Sequence, residues 1–537
     1  MSTQTSHPNP LAATPFKKRS VVSNFIFKFD ETPDGKPQVA LFRRSAKVST
    51  YQHHLAPISG SIDPTDPSPI AAAWREISEE TTLTPSNLSL LRQGKPYTFS
   101  DASIGREWTI YPFAFKLKTS ADERQITIDW EHDSWGWHDP LSVKDIPEFG
   151  GVPRLAESLR RAWFQYDLGE QPSKILSDAL QTLATDTQSG ARQMAGYALK
   201  TLADIISAYE LCEPSEKWWR DIRFAAWHLW KNGRESMGAA IMAALLGALA
   251  EIEPLLSQPG QSALTFHDKV LAILQNRISE RQRTNDKISS ALTSYITKTF
   301  PDVSPLRILT LSESSTITHA LSHLAQNSST PLDIRILESR PLFEGVPLAS
   351  NLSSSLSAPD SVTTQPQHTI TLYTDASAAL ASSKVHLVLL GADRIASSGS
   401  VSNKTGSLPA VLSAKHVTSN QAKVVILGDT EKIALPGEPS EHVIEDNDPT
   451  QVTSAWEAPD NSARVKASAD TFSKLRSSSS SQSISGVKLG VSNTFFEWVP
   501  PSLIDTYITE LGEANVQDIA QNSSKLAEKE RQIFGSL

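Results

Sequence analysis

Three glutamates and one arginine lie within six consecutive residues near the start of the chain. The run REISEE at 75–80 places Glu76, Glu79 and Glu80 at positions i, i+3 and i+4, which share one face of a helix. Three carboxylates on one face repel each other unless a cation compensates them. Hard divalent cations such as Mg²⁺ or Mn²⁺ prefer such oxygen ligands, and they polarise a diphosphate and activate water. We therefore predict a metal site here, although a solvated acidic helix face has the same pattern.

A second set of polar residues follows apolar runs in the C-terminal half. Each run reads as a buried strand, and its polar residue comes where the strand should end, which is where open α/β sheets bind ligands. Hydroxyl groups at the start of a helix suit an anion, and an arginine can bind phosphate bidentately. The predicted ligand-binding residues of this set are Ser312, Ser314, Ser315, Arg340, Asp393, Asn403 and Lys404. The alternative is a set of helix caps and solvated surface charges.

The elements that must position these residues divide the chain into parts of different pattern. Residues 1–17 are predicted to be a disordered leader, and residues 18–152 are β-rich with one helix near 70–81. Residues 153–303 have helical periodicity. From 304 to 537, near-continuous apolar runs alternate with helical stretches, which is typical of a parallel sheet covered on both faces. We expect α+β, helical and doubly wound, Rossmann-like α/β architecture in that order.

The acidic run and its surroundings resemble the Nudix family. Gly60, the loop that follows it and the run REISEE match the order of the Nudix box. The resemblance implies an α/β/α sandwich and a pyrophosphohydrolase in which Arg75, Glu76, Glu79 and Glu80 are catalytic. The sequence departs from the box in a loop one residue longer than usual. It also has Asp66 where a glutamate is typical and Thr82 where a glycine is usual.

The segment 391–407, with GADRI followed by NKTGS, resembles a second family. This family comprises the regulatory subunits of translation initiation factor 2B, methylthioribose-1-phosphate isomerases and ribose-1,5-bisphosphate isomerases. The motifs ILTLSESS, ESRP and TDA precede it in family order. The resemblance implies binding of a sugar phosphate or nucleotide, with Arg234 as a further phosphate contact, and a homodimer or initiation-factor-like assembly.

The isomerases of that family use a cysteine after the first strand of the sheet, and Ser312 stands at this position. The hydroxyl of a serine has a pKa far above neutrality, so it is a poor proton shuttle for an aldose–ketose conversion. The chain has one cysteine, Cys212, in the helical region. We therefore expect binding at this site without isomerase activity.

Composition narrows the remaining classes of function. The formal net charge of −9 gives no basic surface for nucleic acid, so we expect no direct nucleic-acid partner. The apolar run at 238–250 is shorter than a bilayer requires, and we expect a cytoplasmic protein without a membrane contact. The leading hypothesis is a Nudix hydrolase fused to a phosphate-binding module. The alternatives are a non-catalytic regulatory protein of translation initiation and an isomerase with an altered residue.

Overall fold

The computed structural model describes residues 16–29, 36–186, 189–260, 262–356, 367–442, 445–478 and 489–537. Nearly all of the predicted leader lies outside the described residues. The described chain is a mixed α/β protein with an N-terminal sheet domain, a set of helices and a second, mostly parallel sheet. The predicted fold class is confirmed.

Seven strands form the N-terminal sheet. They are β1 (Lys17–Lys28), β2 (Gln38–Arg44), β3 (Leu55–Ala56), β4 (Leu88–Gln93), β5 (Tyr97–Asp101), β6 (Arg106–Leu117) and β7 (His132–His138). The main order is β3-β2-β1-β6-β4, with β5 paired to β6 and β7 paired to β2. The central strands β1 and β6 are parallel over most of their length, and the remaining pairs are antiparallel.

Helix α1 (Pro69–Thr81) carries the acidic run on one face of this sheet. The Ser68 hydroxyl accepts a hydrogen bond from the Ala71 N–H at 3.3 Å, and Pro69 occupies the first turn, where its missing N–H costs nothing. Ala73 and Ile77 are buried against the strands. This packing fixes the orientation of the helix, with Glu76 and Glu80 turned inward and Glu79 exposed.

Helix α2 (Leu155–Ala162) covers the opposite face of the same sheet. Leu155 and Leu159 are fully buried among side chains from β1, including Phe25 and Phe27. Each such leucine contributes about 2 kcal/mol of hydrophobic stabilisation. The helix therefore completes an α/β/α sandwich, whereas the sequence assigned it to the following helical region. Helical periodicity identifies an apolar face but does not identify the partner on which that face packs.

The next helices form the central part of the chain. They are α3 (Gln165–Leu168), α4 (Glu170–Thr185), α5 (Ala191–Ala208), α6 (Glu216–Lys231), α7 (Gly238–Ile252) and α8 (Ala263–Thr299). Helix α7 is apolar on nearly all sides and lies at the centre of the helical core. Within the described residues, Glu235–Ser257 is long and apolar enough to cross a membrane, yet 61% of its most apolar stretch of 18 residues is buried inside the protein. The apolar run at 238–250 is itself shorter than a bilayer requires, and this longer span includes the turns on either side of it.

The C-terminal region contains the remaining strands. They are β8 (Leu306–Leu311), β9 (Leu332–Leu337), β10 (Thr369–Tyr373), β11 (Leu387–Leu390), β12 (Arg394–Ile395), β13 (Val401–Lys404), β14 (Lys423–Leu427), β15 (Phe496–Val499), β16 (Thr506–Thr509) and β17 (Gly512–Ala514). The helices of this region are α9 (Ser315–Asn327), α10 (Gly345–Leu356), α11 (Ala378–Ala381), α12 (Ser407–Val417), α13 (Thr450–Thr453), α14 (Ala463–Ser478) and α15 (Val516–Phe534).

The second sheet has the order β10-β9-β8-β11-β14-β16-β17, and a small antiparallel sheet, β12-β13-β15, lies beside it. All pairs from β10 to β16 are parallel. Helices α8, α9 and α10 cover one face, while α11 and α12 cover the other. The strand order reverses between β8 and β11, and this switch point is where doubly wound sheets form a ligand crevice.

Candidate functional sites

Arg75 organises the acidic face of α1. Its guanidinium donates to both carboxylate oxygens of Asp66, at 3.1 and 2.9 Å. One of its nitrogens, Nη1, also donates to Glu76 at 2.8 Å and to Glu79 at 3.2 Å. Asp66, which departs from the Nudix pattern, therefore still anchors the arginine. The pKa of Arg75 is raised, first by its hydrogen bonds to Asp66 and then by Glu76.

The three glutamates of α1 do not meet at one point. Glu79 has 59% of its side chain exposed, while Glu76 and Glu80 turn inward and are buried. Burial raises the pKa of Glu76. Burial also raises the pKa of Glu80 well above its usual value, and the charges of Glu131 and Glu76 add to that shift. Two carboxylates thus lie inside the domain: Arg75 pairs with Glu76, whereas the neighbouring acidic groups act against the ionised form of Glu80.

Three residues beside Glu80 were missed by the sequence reasoning. His132 is buried, with Nε2 at 3.6 Å from Glu80 Oε2 and Nδ1 at 3.6 Å from Asp129 Oδ1. Burial lowers the pKa of His132 to about 4. Burial lowers the pKa of Arg44, against the effect of Glu131 and Glu80. Arg44 ends β2, His132 begins β7 and Asp129 lies in the loop before β7, and no spacing in the sequence indicates that they face α1.

The residues of this site fit a divalent cation in chemical type. The donors are carboxylate oxygens, which Mg²⁺ and Mn²⁺ prefer, and the buried Glu80 Oε1 has no hydrogen-bond partner within the described structure. Among the described residues, no three His, Cys, Asp or Glu side chains are arranged closely enough to hold an ion as they stand. The metal assignment therefore stays a prediction that requires Glu79 or Glu131 to turn inward.

A cleft of about 370 Å³ opens beside these glutamates. Glu76, Glu131 and Gly60 line it near α1, and aromatic rings line it elsewhere. Trp108 donates from Nε1 to the Tyr51 hydroxyl at 3.2 Å, which fixes the two rings relative to each other. The cleft is lined by Phe99, Tyr51, Trp108, Arg19, Arg44 and Arg106, among others. It therefore combines carboxylates, flat apolar surfaces and guanidinium groups.

A second cleft, of about 750 Å³, lies at the switch point of the second sheet. It brings together most of the ligand-binding residues predicted from sequence. Those that line it are Ser312, Ser314, Ser315, Asp393, Asn403 and Lys404. Arg192, Lys432 and Glu344 also line it and were not predicted as site residues. Arg192 and Lys432 belong to no motif that we recognised, so only the fold brings them to this place.

Glu344 connects two of the predicted residues in this cleft. Its Oε2 accepts a hydrogen bond from the Ser312 hydroxyl at 2.7 Å, and its Oε1 accepts one from Lys404 Nζ at 2.7 Å. Asn403 donates from Nδ2 to the Ser407 hydroxyl at 2.9 Å. The three groups Ser312, Glu344 and Lys404 therefore form a connected hydrogen-bonded chain on one wall of the cleft.

Asp393 follows β11 at the carboxyl edge of the sheet. Burial raises its pKa, and the positive charges of Lys432 and Lys404 oppose that shift. A carboxyl group in such surroundings keeps its proton at a higher pH than an exposed aspartate does.

Two predicted ligand-binding residues lie elsewhere. Arg234 is buried and forms a bidentate pair with Glu445, at 3.1 and 2.8 Å, and it donates to the Asp186 carbonyl at 2.6 Å. Its donors are thus used inside the protein, outside the cleft. Arg340 is exposed, lies over the ring of Phe343 and lines a small adjacent pocket. The sequence indicated their residue types but not the direction of their side chains.

Family models match two parts of the chain. The NUDIX domain model matches residues 18–161, and the model of the initiation factor 2 subunit family matches residues 187–515. No curated protein matches the chain. The NUDIX match includes all of α1 and extends through most of α2.

Solved structures with a similar arrangement include translation initiation factor eIF-2B of Pyrococcus horikoshii OT3, with 17% identity, coverage of 64% of this chain and 97% of that one, and a TM-score of 0.44. A second is eIF2B beta of Chaetomium thermophilum, with 14% identity, coverage of 68% of this chain and 95% of that one, and a TM-score of 0.44. A third is 5-methylthioribose 1-phosphate isomerase of Pyrococcus horikoshii OT3, with 17% identity, coverage of 66% of this chain and 87% of that one, and a TM-score of 0.45. Since the matched region 187–515 spans more than half of the chain, this protein belongs to the initiation factor 2 subunit family, with a NUDIX domain at its N-terminal side.

Proposed function

We propose that the N-terminal domain is a metal-dependent hydrolase of a nucleoside or sugar diphosphate. The observation that carries the proposal is the pair of buried carboxylates, Glu76 and Glu80: burial is the main cause of their raised pKa values, and a positive charge beside them would favour their ionised forms. Mg²⁺ or Mn²⁺, held by Glu76, Glu80 and Glu79, would supply that charge and activate water at phosphorus.

The residues of the cleft would perform the other tasks of this reaction. Arg75 holds Glu76 and Glu79 through its hydrogen bonds, and of these two carboxylates Glu76 lines the cleft. Glu131 lines the same cleft and is the candidate to accept a proton from the attacking water. The rings of Tyr51 and Trp108 would support the flat part of the substrate.

The test is hydrolysis of dinucleoside polyphosphates, ADP-ribose and nucleotide sugars by the full-length protein with Mg²⁺. We expect Glu79→Gln and Glu80→Gln to abolish turnover while the protein stays folded. Glu148→Gln, at an exposed glutamate outside the cleft, is the matched control and should retain full activity. Unchanged turnover in both site variants would reject the assignment.

We propose that the cleft of the second module binds a sugar phosphate or a nucleotide. Its cationic residues Arg192, Lys404 and Lys432 and the start of α9 favour an anion. Calorimetry with ribose 5-phosphate and with AMP tests this. We expect Lys432→Met to weaken binding at least tenfold, and Lys525→Met, at an exposed position on α15, to leave it unchanged.

Arg340→Ala provides a second comparison for the same binding experiment. Because Arg340 lines the adjacent pocket rather than the cleft, we expect a smaller loss of affinity than for Lys432→Met. Equal affinity of wild type and Lys432→Met would refute the proposed site.

The second candidate function is a non-catalytic regulatory or assembly role in translation initiation. The family match over residues 187–515 favours it. We propose a cytoplasmic homodimer formed through this region, with no direct contact to nucleic acid or membrane. Light scattering of the full chain at micromolar concentration distinguishes a monomer from a dimer. An isomerase function is disfavoured, because Ser312 stands where the reaction needs a thiol.

A further inference from the structure

Ser312 lies at a sharp turn between the end of β8 and the start of α9. Its backbone has a φ of 65°, a left-handed conformation that costs a residue with a β-carbon roughly 1 kcal/mol or more. Glycine would adopt this conformation without strain. A strained turn from strand to helix that presents a hydroxyl is also the arrangement of the nucleophile in serine hydrolases.

The hydroxyl of Ser312 has a partner that can accept its proton. It donates to Glu344 Oε2 at 2.7 Å. The other carboxylate oxygen accepts from Lys404 at 2.7 Å, and this bond fixes the orientation of Glu344. The order of hydroxyl, base and orienting group is the general arrangement of an activated nucleophile. The Ser312 N–H donates to the Ser339 hydroxyl at 2.8 Å, which holds the turn in place.

The surroundings of Ser312 suit a transferring phosphoryl group. Ser315 and Thr316, in the first turn of α9, line the same cleft, and the amides of a first helical turn favour negative charge. Arg192 and Lys432 line the cleft as well. Asp393 lines it too, and its burial favours the protonated carboxyl, a form that can donate a proton to a leaving oxygen.

We propose that Ser312 is a nucleophile that takes the phosphoryl group from a sugar phosphate monoester bound in this cleft. The inference rests on the proposed binding of a sugar phosphate by the second module. It adds a phosphomonoester hydrolase activity that is independent of the N-terminal domain, since the substrate contains no diphosphate bond.

The reaction balances in two steps. Ser312 Oγ forms a bond to phosphorus, the bond between phosphorus and the sugar oxygen breaks, and the hydroxyl proton passes to Glu344. The sugar leaves as an alcohol after taking a proton from Asp393. Water then attacks phosphorus and gives a proton to Asp393, while Ser312 Oγ leaves and recovers its proton from Glu344. The sum consumes one water and yields an alcohol and inorganic phosphate, with no change in oxidation state.

The experiment uses the full-length protein and ribose 5-phosphate labelled with phosphorus-32. We expect label on a peptide containing Ser312 after rapid acid quench, together with release of inorganic phosphate. Ser312→Gly, which removes the hydroxyl and tolerates the turn, should lose both, and Glu344→Gln should slow release at least 100-fold. Ser290→Ala, at an exposed serine on α8, should behave as wild type.

Calorimetry on the same samples separates this inference from the binding proposal. Binding of ribose 5-phosphate without label or phosphate release overturns the covalent step and leaves the binding site intact. Absence of binding overturns both. Turnover of Ser312→Gly at the wild-type rate would show that another group performs the reaction, which also contradicts the proposal.

Discussion

Gly60 lies directly against the carboxylate of Glu76. A β-carbon at position 60 would be 2.0 Å from Glu76 Cδ and 2.1 and 2.2 Å from the two carboxylate oxygens. Contact at these distances is impossible, so any side chain at this position requires Glu76 to move. The glycine that precedes the acidic helix in sequence therefore exists to admit one particular carboxylate, not to permit an unusual backbone angle.

The first prediction concerns Gly60→Ala. The added methyl group should displace the Glu76 side chain from its buried position, break its 2.8 Å contact with Arg75 and lower diphosphate hydrolysis at least tenfold. Steady-state rates with Mg²⁺ check this. The matched control is Gly105→Ala, in an open turn with nothing within 4 Å. Its effect should be limited to a small loss of stability, and equal rates for the two variants would argue against the role assigned to Gly60.

The second prediction concerns Thr82, the residue that follows α1. Thr82 has a φ of 61°, and a β-branched residue in this conformation is strained. Its hydroxyl donates a hydrogen bond to the Gln125 carbonyl at 2.9 Å, which offsets part of the backbone strain. We expect Thr82→Gly to raise the free energy of unfolding by about 1 kcal/mol. Thermal unfolding of the full chain measures this, and a lowered midpoint would mean that the hydrogen bond outweighs the strain.

The third prediction concerns acid sensitivity. His228 is fully buried, and burial lowers its pKa to about 3, whereas a histidine in the unfolded chain has a pKa of about 6.5. The unfolded chain thus binds one more proton than the folded chain between these values. The free energy of unfolding should therefore be independent of this group above pH ~6.5. Below that pH it should fall by roughly 1.4 kcal/mol per pH unit, until the pH reaches the folded-state pKa.

His228→Gln should remove this part of the pH dependence, as measured by denaturant unfolding at several pH values. The exposed His416 offers a control, and His416→Gln should leave the slope unchanged. A wild-type slope that persists in His228→Gln would assign the acid sensitivity to other groups.

The fourth prediction concerns Asp393, whose titration should lower the stability of the fold as the pH rises, the opposite of the effect of His228. Because burial raises its pKa in the folded state, the folded chain holds the proton to higher pH than the unfolded chain, and ionisation destabilises the fold. Stability from this group should be complete below the ordinary aspartate pKa of about 3.9 and fall as pH rises to the raised value. Asp393→Asn should therefore stabilise the chain at pH 7 and have little effect near pH 3. Equal stabilisation at both pH values would contradict this account.

Local features were accessible from sequence because they depend on short-range pattern. The apolar runs of β8, β9 and β11 are long enough to identify a buried parallel sheet, and the polar residues after them, such as Ser312 and Asp393, had to reach its carboxyl edge. The spacing of Glu76, Glu79 and Glu80 likewise placed them on one helical face.

Long-range partners were not accessible in this way. Arg234 pairs with Glu445, which is 211 positions away in the chain, and no local pattern signals such a contact. His132 reaches Glu80 only because β7 pairs with β2 in the sheet. Shared helical spacing also does not fix rotamers, so the exposure of Glu79 and the burial of Glu80 could be read only from the folded chain.

Binding of Mn²⁺ to the full-length protein tests the central claim most directly, because it asks whether the glutamates of α1 hold a divalent cation at all. Electron paramagnetic resonance of free Mn²⁺ during titration gives the bound fraction. We predict at least one site in the wild type, weakened at least tenfold in Glu80→Gln and unchanged in Glu148→Gln. Wild-type protein that binds no Mn²⁺, or a Glu80→Gln variant that binds it equally well, would contradict the account.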